Sequence, residues 1–183
     1  QKTAYEIYQC DWSSDVCSSD LDIFLKKMHD YGTAWRNLRP KSLTDQILIK
    51  AQRIKSIEEK GNSKINESIS DELTGVINYG VIALIQLDLV QDTRMDLPPE
   101  EVSRRYETKL QKAMELMENK NHDYGEAWRE MRNSSITDLI LMKLYRIKQI
   151  EDLQGQTLIS EGIDANYLDI INYAIFYKIK SDQ

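Results

Sequence analysis

The chain contains one segment twice, and this duplication constrains the fold more than any other feature. Residues 29–59 read HDYGTAWRNLRPKSLTDQILIKAQRIKSIEE, and residues 122–152 read HDYGEAWREMRNSSITDLILMKLYRIKQIED. At an offset of 93 residues, 19 of these 31 aligned positions are identical. A second pair of segments, 67–80 and 161–174, aligns after a one-residue insertion. A period of this length is typical of a duplicated small domain and too long for a solenoid repeat.

Residues 1–21 resemble a translated sequencing adapter and differ from the rest of the chain. Adapter codons read in one frame match Gln1–Ile7 and Asp11–Leu21, with an index-sized gap between the two matches. We therefore expect this segment to be a cloning or assembly artefact and exclude it from the interpretation of the fold. The offset between the copies places the start of the first helix inside this segment, so we expect only its tail, residues 22–28, to be native.

Composition excludes several classes of protein. Both cysteines lie in residues 1–21, so the rest of the chain has no disulfide framework, as is typical of a cytoplasmic protein. No apolar run approaches the length of a membrane span, and the chain does not start with the apolar stretch of a signal peptide. The net charge of −6 disfavours direct binding to the phosphate backbone of DNA and suits a small-molecule site with local basic residues.

The hydrophobic pattern predicts an all-α protein made of two tandem homologous three-helix units, packed as a pseudo-dimeric helical bundle. We assign residues 22–89 to the first, N-terminally truncated repeat and residues 99–183 to the second. Residues 90–98 form the predicted linker, and Pro99 is placed to begin a helix.

Helix boundaries follow from the same pattern. In the second repeat we predict helices over 99–119, 135–153 and 161–180, with a non-periodic stretch carrying HDYG after the first of them. The last helix of the first repeat is predicted over 67–89. Serine and aspartate three residues apart have the spacing of an N-cap and its acidic partner, and this spacing occurs at Ser42 and Asp45 and again at Ser135 and Asp138.

Basic residues interrupt the apolar face of the helix predicted over 135–153. On a helical wheel Lys143 lies in the middle of that face and Arg146 lies at its edge. Lys50 and Arg53 occupy the same places in the first repeat. An unpaired lysine at such a position would be costly, so we expect it to meet carboxylates or a bound anion.

Carboxylates stand one turn apart on the last predicted helix of each repeat. The residues at positions i, i+4 and i+8 are Glu161, Ala165 and Asp169 in the second repeat, and Glu67, Asp71 and Gly75 in the first. Asn172 lies on the same face. Stacked carboxylates on a half-buried helix can hold Mg²⁺, which prefers a few carboxylates together with water and substrate phosphates. The alternative interpretation is a buried salt-bridge network with Lys143 and Arg146.

The run KNHDYGEAWR groups an imidazole, a carboxylate, aromatic rings and an arginine. We take His122 as a candidate catalytic base. The candidates for contact with a nucleotide are Asp123, Tyr124, Trp128 and Arg129, with Tyr31 and Trp35 in the first repeat. The alternative interpretation is structural: glycine takes a positive φ at a helix end, and the aromatic rings belong to the core.

The combination of DYG…AW, a helix with K-x-x-R, and E…D…NY resembles the nucleotide-modification-associated domain family, in two copies over nearly all of residues 22–183. The resemblance implies a role in nucleotide metabolism tied to modified DNA bases. That family is distantly similar to the MazG-like all-α nucleoside triphosphate pyrophosphatases, which bind Mg²⁺ through acids on two neighbouring helices. This chain departs from their pattern, because lysine and arginine stand where the first acidic pair would fall and each repeat lacks one acid of the second pair.

The leading hypothesis is a nucleotide-phosphate-binding protein, extended to a Mg²⁺-dependent nucleoside triphosphate pyrophosphatase. Lysine and arginine of the K-x-x-R helix would neutralise phosphates, and Tyr124 and Trp128 would meet the base. Glu161 and Asp169 would hold the metal and position water, with Glu67 and Asp71 as their first-repeat counterparts.

The alternative class is a non-catalytic helical binding or scaffold module whose charges form structural ion pairs. The expected partner is a small-molecule nucleotide, with no direct nucleic-acid or membrane partner. The sequence leaves homo-oligomer formation open.

Overall fold

The computed structural model describes residues 16–61, 67–155 and 161–181, with side chains from residue 21 onward. This part of the chain is built from α-helices and short 3₁₀ helices, without a β-strand. In chain order the α-helices are α1 Val16–Tyr31, α2 Pro40–Lys60, α3 Ile69–Asp88, α4 Pro99–Tyr124, α5 Asn133–Asp152 and α6 Ile163–Ser181. The 3₁₀ helices are Ala34–Asn37, after α1, and Ala127–Glu130, after α4.

Two homologous units pack against each other around one core, which confirms the predicted fold class. Within the repeats α2 packs on α3 and α5 packs on α6. Across the repeats α3 packs on α6 and α2 packs on α5, while α1 contacts α3, and α4 contacts both α3 and α6. Helices α3 and α6 are apolar around most of their surface, and such helices belong in the interior of a bundle. None of the described helices is long and apolar enough to cross a bilayer.

Most of the segment predicted to be an artefact, residues 1–15, lies outside the described residues. Residues 16–21 form the first turns of α1. The predicted linker, residues 90–98, lies between α3 and α4. The assignment of residues 22–89 and 99–183 to the two repeats stays a prediction.

The predicted helix starts at Ser42 and Ser135 are wrong by two or three residues. Helix α2 begins at Pro40 and α5 at Asn133, and neither N-cap residue accepts a side-chain capping bond. The capping box of the described chain lies instead at α3, where Ser68 and Asp71 bond each other's backbone amides. The helix predicted from residue 67 therefore begins at Ile69, because Ser68 supplies the cap.

The HDYG stretch is also regular where the sequence predicts an irregular segment. Helix α4 continues through His122 and ends at Tyr124, and Gly125 follows in the left-handed region with φ +62°. Gly32 repeats this conformation in the first repeat with φ +58°. Glycine adopts this conformation without the steric cost that a Cβ brings. The structural interpretation of this glycine is the one observed.

The segment between the repeats is tied to the 3₁₀ helix Ala34–Asn37. The buried guanidinium of Arg36 donates to the backbone carbonyls of Asp92 and Arg94 and to the side chain of Gln86. The Thr33 hydroxyl donates to the carbonyl of Met95 and accepts from a backbone amide. These bonds hold in place the 3₁₀ helix that carries Trp35.

Candidate functional site

A buried ion cluster lies at the centre of the second repeat. The Lys143 ammonium on α5 lies 2.6 Å from an Asp169 carboxylate oxygen on α6, and both side chains are almost fully buried. Lys120, near the end of α4, donates to the other oxygen of the same carboxylate. Glu161, before the start of α6, lies 3.9 Å from Lys143 and is exposed. We call Lys120, Lys143 and Asp169 the second-repeat cluster; one carboxylate there binds two ammonium groups.

The first repeat carries a different set of ion pairs. The carboxylate of Glu72 on α3 is buried and accepts from Lys50 at 3.3 Å and from Arg53, both on α2. Arg53 also donates to Glu67, and this hydrogen bond lowers the pKa of the Glu67 carboxyl group below its usual value. We call Lys50, Arg53, Glu67 and Glu72 the first-repeat cluster. Lys143 and Lys50 both meet carboxylates, as predicted, although Lys50 is half-buried and Lys143 almost fully buried.

The buried acid lies one helical turn earlier in the first repeat than in the second. In α3 and α6 the positions correspond at an offset of 94 residues, so Glu72 matches Asn166 and Gly75 matches Asp169. Asn166 is fully buried and donates to the carbonyl of Gly162 at 2.9 Å. Gly75 leaves room that the aliphatic chain of Lys50 occupies, since a Cβ at this position would come within 2.6 Å of its Cε atom.

A cleft of about 430 Å³ opens in the first repeat beside Gly75. It lies between α1, the 3₁₀ helix Ala34–Asn37, α2 and α3. The lining residues that carry charge or an aromatic ring include Lys27, Tyr31, Trp35, Lys50 and Glu72. We call it the first-repeat cleft. Its volume falls in the range of small-molecule sites.

The two tryptophans of the repeated AWR motif have different surroundings. Trp128 is buried and stacks on Phe176 with ring centroids 4.4 Å apart and an interplanar angle of 4°. The Arg129 guanidinium lies 4.5 Å from the Trp128 ring, so both faces are covered, and Glu126 accepts from Arg129 at 2.8 Å. Trp35 is half-buried and lines the first-repeat cleft, where the counterpart of Phe176 is the smaller Ile82. The structure thus places Trp128 in the core and leaves Trp35 accessible from the cleft.

The remaining residues predicted around HDYG lie on the surface. His122, Asp123 and Tyr124 are exposed on the last turn of α4, and the nearest polar partner of the His122 ring is Asp123 at 3.1 Å. Tyr31 is equally exposed at the end of α1, although it borders the first-repeat cleft. Across residues 16–61, 67–155 and 161–181, no hydrogen bond or ion pair joins His122 to Asp169.

Comparison with protein families gives a match to both copies. The family described as nucleotide modification associated domain 1 matches residues 27–87 and 120–180. The two matches together cover more than half of the chain. The chain belongs to this family. No match was found among curated proteins or among solved structures.

Both family matches begin at a lysine, Lys27 and Lys120, which occupies the same place in the two repeats. The sequence interpretation missed both lysines, and it considered Glu72 only as the one acid that the first repeat keeps from the second acidic pair. The identity of Lys27 and Lys120 at the offset of 93 residues is the signal that could have found the lysine pair. Nothing in the repeat marks Glu72, because Asn166 stands at its counterpart.

The carboxylates predicted to hold Mg²⁺ are occupied by other contacts. Asp71 belongs to the capping box, and the hydrogen bonds from Ser68 lower the pKa of its carboxyl group. Glu67 pairs with Arg53, and Asp169 binds two lysines. In the part of the chain that the structure describes, no three His, Cys, Asp or Glu side chains are grouped to hold a metal ion. This arrangement does not fit a magnesium site made by protein side chains alone. Binding of Mg²⁺ together with a ligand stays a prediction.

Asn172 and Arg146, which accompany the candidate acids and lysines in the sequence, have different surroundings. Asn172 is buried, and its amide donates to the carbonyl of Ala113 at 2.9 Å. Arg146 is half-buried and forms no ion pair with another described residue, whereas its counterpart Arg53 bonds two carboxylates. The repeated K-x-x-R motif thus serves two different charge arrangements.

Proposed function

We propose that this member of the nucleotide modification associated family binds a nucleotide through its phosphate and base, in the metabolism of nucleotides or modified bases. One observation carries the proposal: the first-repeat cleft is lined by an accessible indole, Trp35, together with two ammonium groups, Lys27 and Lys50. The family description, which associates the domain with nucleotide modification, supports the same ligand class.

The chemistry of these side chains suits the two ends of a nucleotide. Ammonium groups form charge-assisted hydrogen bonds with phosphate oxygens. An aromatic ring accepts a base by stacking, which contributes about 1–3 kcal/mol per base and tolerates many bases. The cleft volume of about 430 Å³ lies within the usual range for small ligands.

Hydrolysis by a Mg²⁺-dependent nucleoside triphosphate pyrophosphatase is the catalytic extension of this proposal. Such chemistry needs carboxylates that hold the metal and position water. The acids predicted for this role are paired with cations or bound in a cap. We therefore propose nucleotide binding as the function. Release of pyrophosphate is measured in the same experiment as a separate outcome.

The second repeat supports a second candidate function, a structural module. A buried carboxylate that binds two lysines, with both faces of Trp128 covered, is an arrangement that holds a core together. A chain in which both repeats were structural would belong to the scaffold class and would bind no nucleotide.

The test is calorimetric titration with ordinary and base-modified deoxynucleotides carrying one or three phosphates, with and without Mg²⁺, alongside an assay for released pyrophosphate. We expect binding by the wild type and at least about tenfold weaker binding by Trp35→Leu, because the base loses its stacking surface. Tyr145→Leu is the control, since this half-exposed ring is not among the cleft-lining side chains. Absence of binding by every nucleotide would leave the scaffold class.

A further inference from the structure

The second repeat shows how an anionic group is bound between two lysines that both repeats contain. In the second repeat the Asp169 carboxylate lies between Lys120 and Lys143. The first repeat keeps both lysines, as Lys27 and Lys50, but has Gly75 in place of the aspartate. The first-repeat cleft opens at this glycine.

The two first-repeat lysines form weaker or fewer ion pairs than their second-repeat counterparts. The Lys50 side chain is 27% exposed, against 9% for Lys143, and its bond to Glu72 is 3.3 Å long, against 2.6 Å from Lys143 to Asp169. Lys27 is exposed and forms no ion pair with another described residue, whereas Lys120 binds Asp169. Two ammonium groups therefore border the cleft at Gly75, where the first repeat has no counterpart of the Asp169 carboxylate.

We propose that the first-repeat cleft binds the phosphate of a nucleoside monophosphate between Lys27 and Lys50, as the second repeat holds the Asp169 carboxylate between Lys120 and Lys143. This inference rests on the proposed function and narrows it. Asp169 then acts as a built-in substitute for the ligand's anion, and the second repeat has no vacant phosphate position. One chain binds one nucleotide.

The charges around the cleft select a short phosphate chain. A single phosphate carries up to two negative charges near neutral pH, which two lysines neutralise. The acids Glu67, Asp71 and Glu72 line the same cleft, so the additional phosphates of a triphosphate would approach like charges. A monophosphate brings only one phosphate group near these carboxylates, where a triphosphate brings three.

Calorimetric titration of the full chain with a nucleoside monophosphate and its matching triphosphate, without added metal, tests the inference. We expect one site per chain and at least about tenfold tighter binding of the monophosphate. Lys27→Gln should weaken monophosphate binding about tenfold, because a charge-assisted bond to phosphate is lost. Lys26→Gln is the matched control: it removes the neighbouring exposed lysine, which does not line the cleft.

A second variant rebuilds the second-repeat arrangement in the first. Gly75→Asp supplies a carboxylate at the counterpart of Asp169, and the side chain it meets is the flexible end of Lys50. We expect monophosphate binding to be lost. Gly75→Ala adds the Cβ without the charge and should weaken binding less than Gly75→Asp does.

The outcomes separate this inference from the proposed function. Two bound nucleotides per chain, tighter binding of the triphosphate, or unchanged binding in Lys27→Gln and Gly75→Asp would overturn the inference while nucleotide binding stood. If neither nucleotide binds, the proposed function fails and the inference fails with it.

Discussion

In the second repeat Lys143 donates to Asp169 at 2.6 Å and is almost fully buried, whereas in the first repeat Lys50 donates to Glu72 at 3.3 Å and reaches solvent. The two lysines occupy the same position of a duplicated helix. The acids do not, since Glu72 lies one turn before the counterpart of Asp169. The buried carboxylate therefore differs in position by one turn. The second repeat has a buried Lys143–Asp169 ion pair, and the first repeat has a cleft at the equivalent place.

The repeated tryptophans differ in burial in the same way as the lysines, since the second-repeat residue is buried and the first-repeat residue is accessible. Trp128 stacks on Phe176 and lies under Arg129, while Trp35 lines the cleft together with Ile82. A duplicated motif thus contributes to the core in one copy and to a surface cavity in the other. The comparison predicts that equivalent substitutions in the two repeats will have unequal effects on stability.

Replacement of the repeated tryptophans should give the largest difference. Trp128→Ala removes a buried, stacked ring, and we expect the free energy of unfolding to fall by about 3–5 kcal/mol. Trp35→Ala removes a half-buried ring and should cost less, about 1–2 kcal/mol. Urea denaturation of both variants measures the difference, and equal losses would break the comparison.

Neutralising the buried acid of each repeat should have the next largest effect. Asp169→Asn leaves Lys143 charged in the core, and we expect a loss of about 3 kcal/mol in the free energy of unfolding. Glu72→Gln should cost about 1–2 kcal/mol, because Lys50 reaches water and Arg53 keeps Glu67.

The double variant Lys143→Met with Asp169→Leu serves as the control for this second comparison. Both charges are removed together, so the double variant should recover most of the stability lost in Asp169→Asn. Circular dichroism during urea titration measures all three variants. A larger loss for Glu72→Gln than for Asp169→Asn would show that the first repeat holds the tighter ion pair.

The capping box of α3 should give the smallest effect. Ser68→Ala removes the side-chain bond to the Asp71 amide and should lower the free energy of unfolding by about 1 kcal/mol. The counterpart residue in the second repeat is Gly162, which has no side chain to cap α6. Ser70→Ala is the control, because this exposed serine lies in the first turn of α3 outside the capping box, and a loss there equal to that of Ser68→Ala would contradict the assignment.

The same box gives a dependence on pH. Hydrogen bonds from Ser68 lower the pKa of the Asp71 carboxyl group in the folded state. The stabilisation by Asp71 is therefore complete above its unfolded pKa, about 3.9, and is lost as the pH falls through the lower folded value. Thermal melting of wild type and Asp71→Asn between pH 2 and 7 should show the two curves converging at the acidic end, because the wild type loses the carboxylate there as well.

Sequence patterns predicted elements better than they predicted partners. The apolar faces of α5 and α6 were recognised from their periodicity, and Lys143 was recognised as a buried charge that needs a partner. The predicted start of α3 is two residues early, because the sequence interpretation assigns Asp71 to a metal site and not to a capping box with Ser68.

Residues that act across helices were the hardest to predict. Lys120 and Asp169 are 49 positions apart in the chain, and only the packing of α4 on α6 brings them into contact. Glu72 has no counterpart acid in the second repeat, so the duplication does not point to it as the partner of Lys50. His122 and Tyr124 looked functional because they are repeated, yet they lie exposed on the last turn of α4.

The sequence by itself determined the all-α class and the buried position of Lys143, because both follow from periodicity along single helices, and it determined the two repeats from the duplicated segment. Only the tertiary structure decided which acid each lysine meets, which tryptophan is covered and which repeat holds a cleft. The physical reason is that a helix fixes the direction of its own side chains, while the charge or void they meet belongs to a neighbouring helix whose placement depends on the packing of the whole bundle.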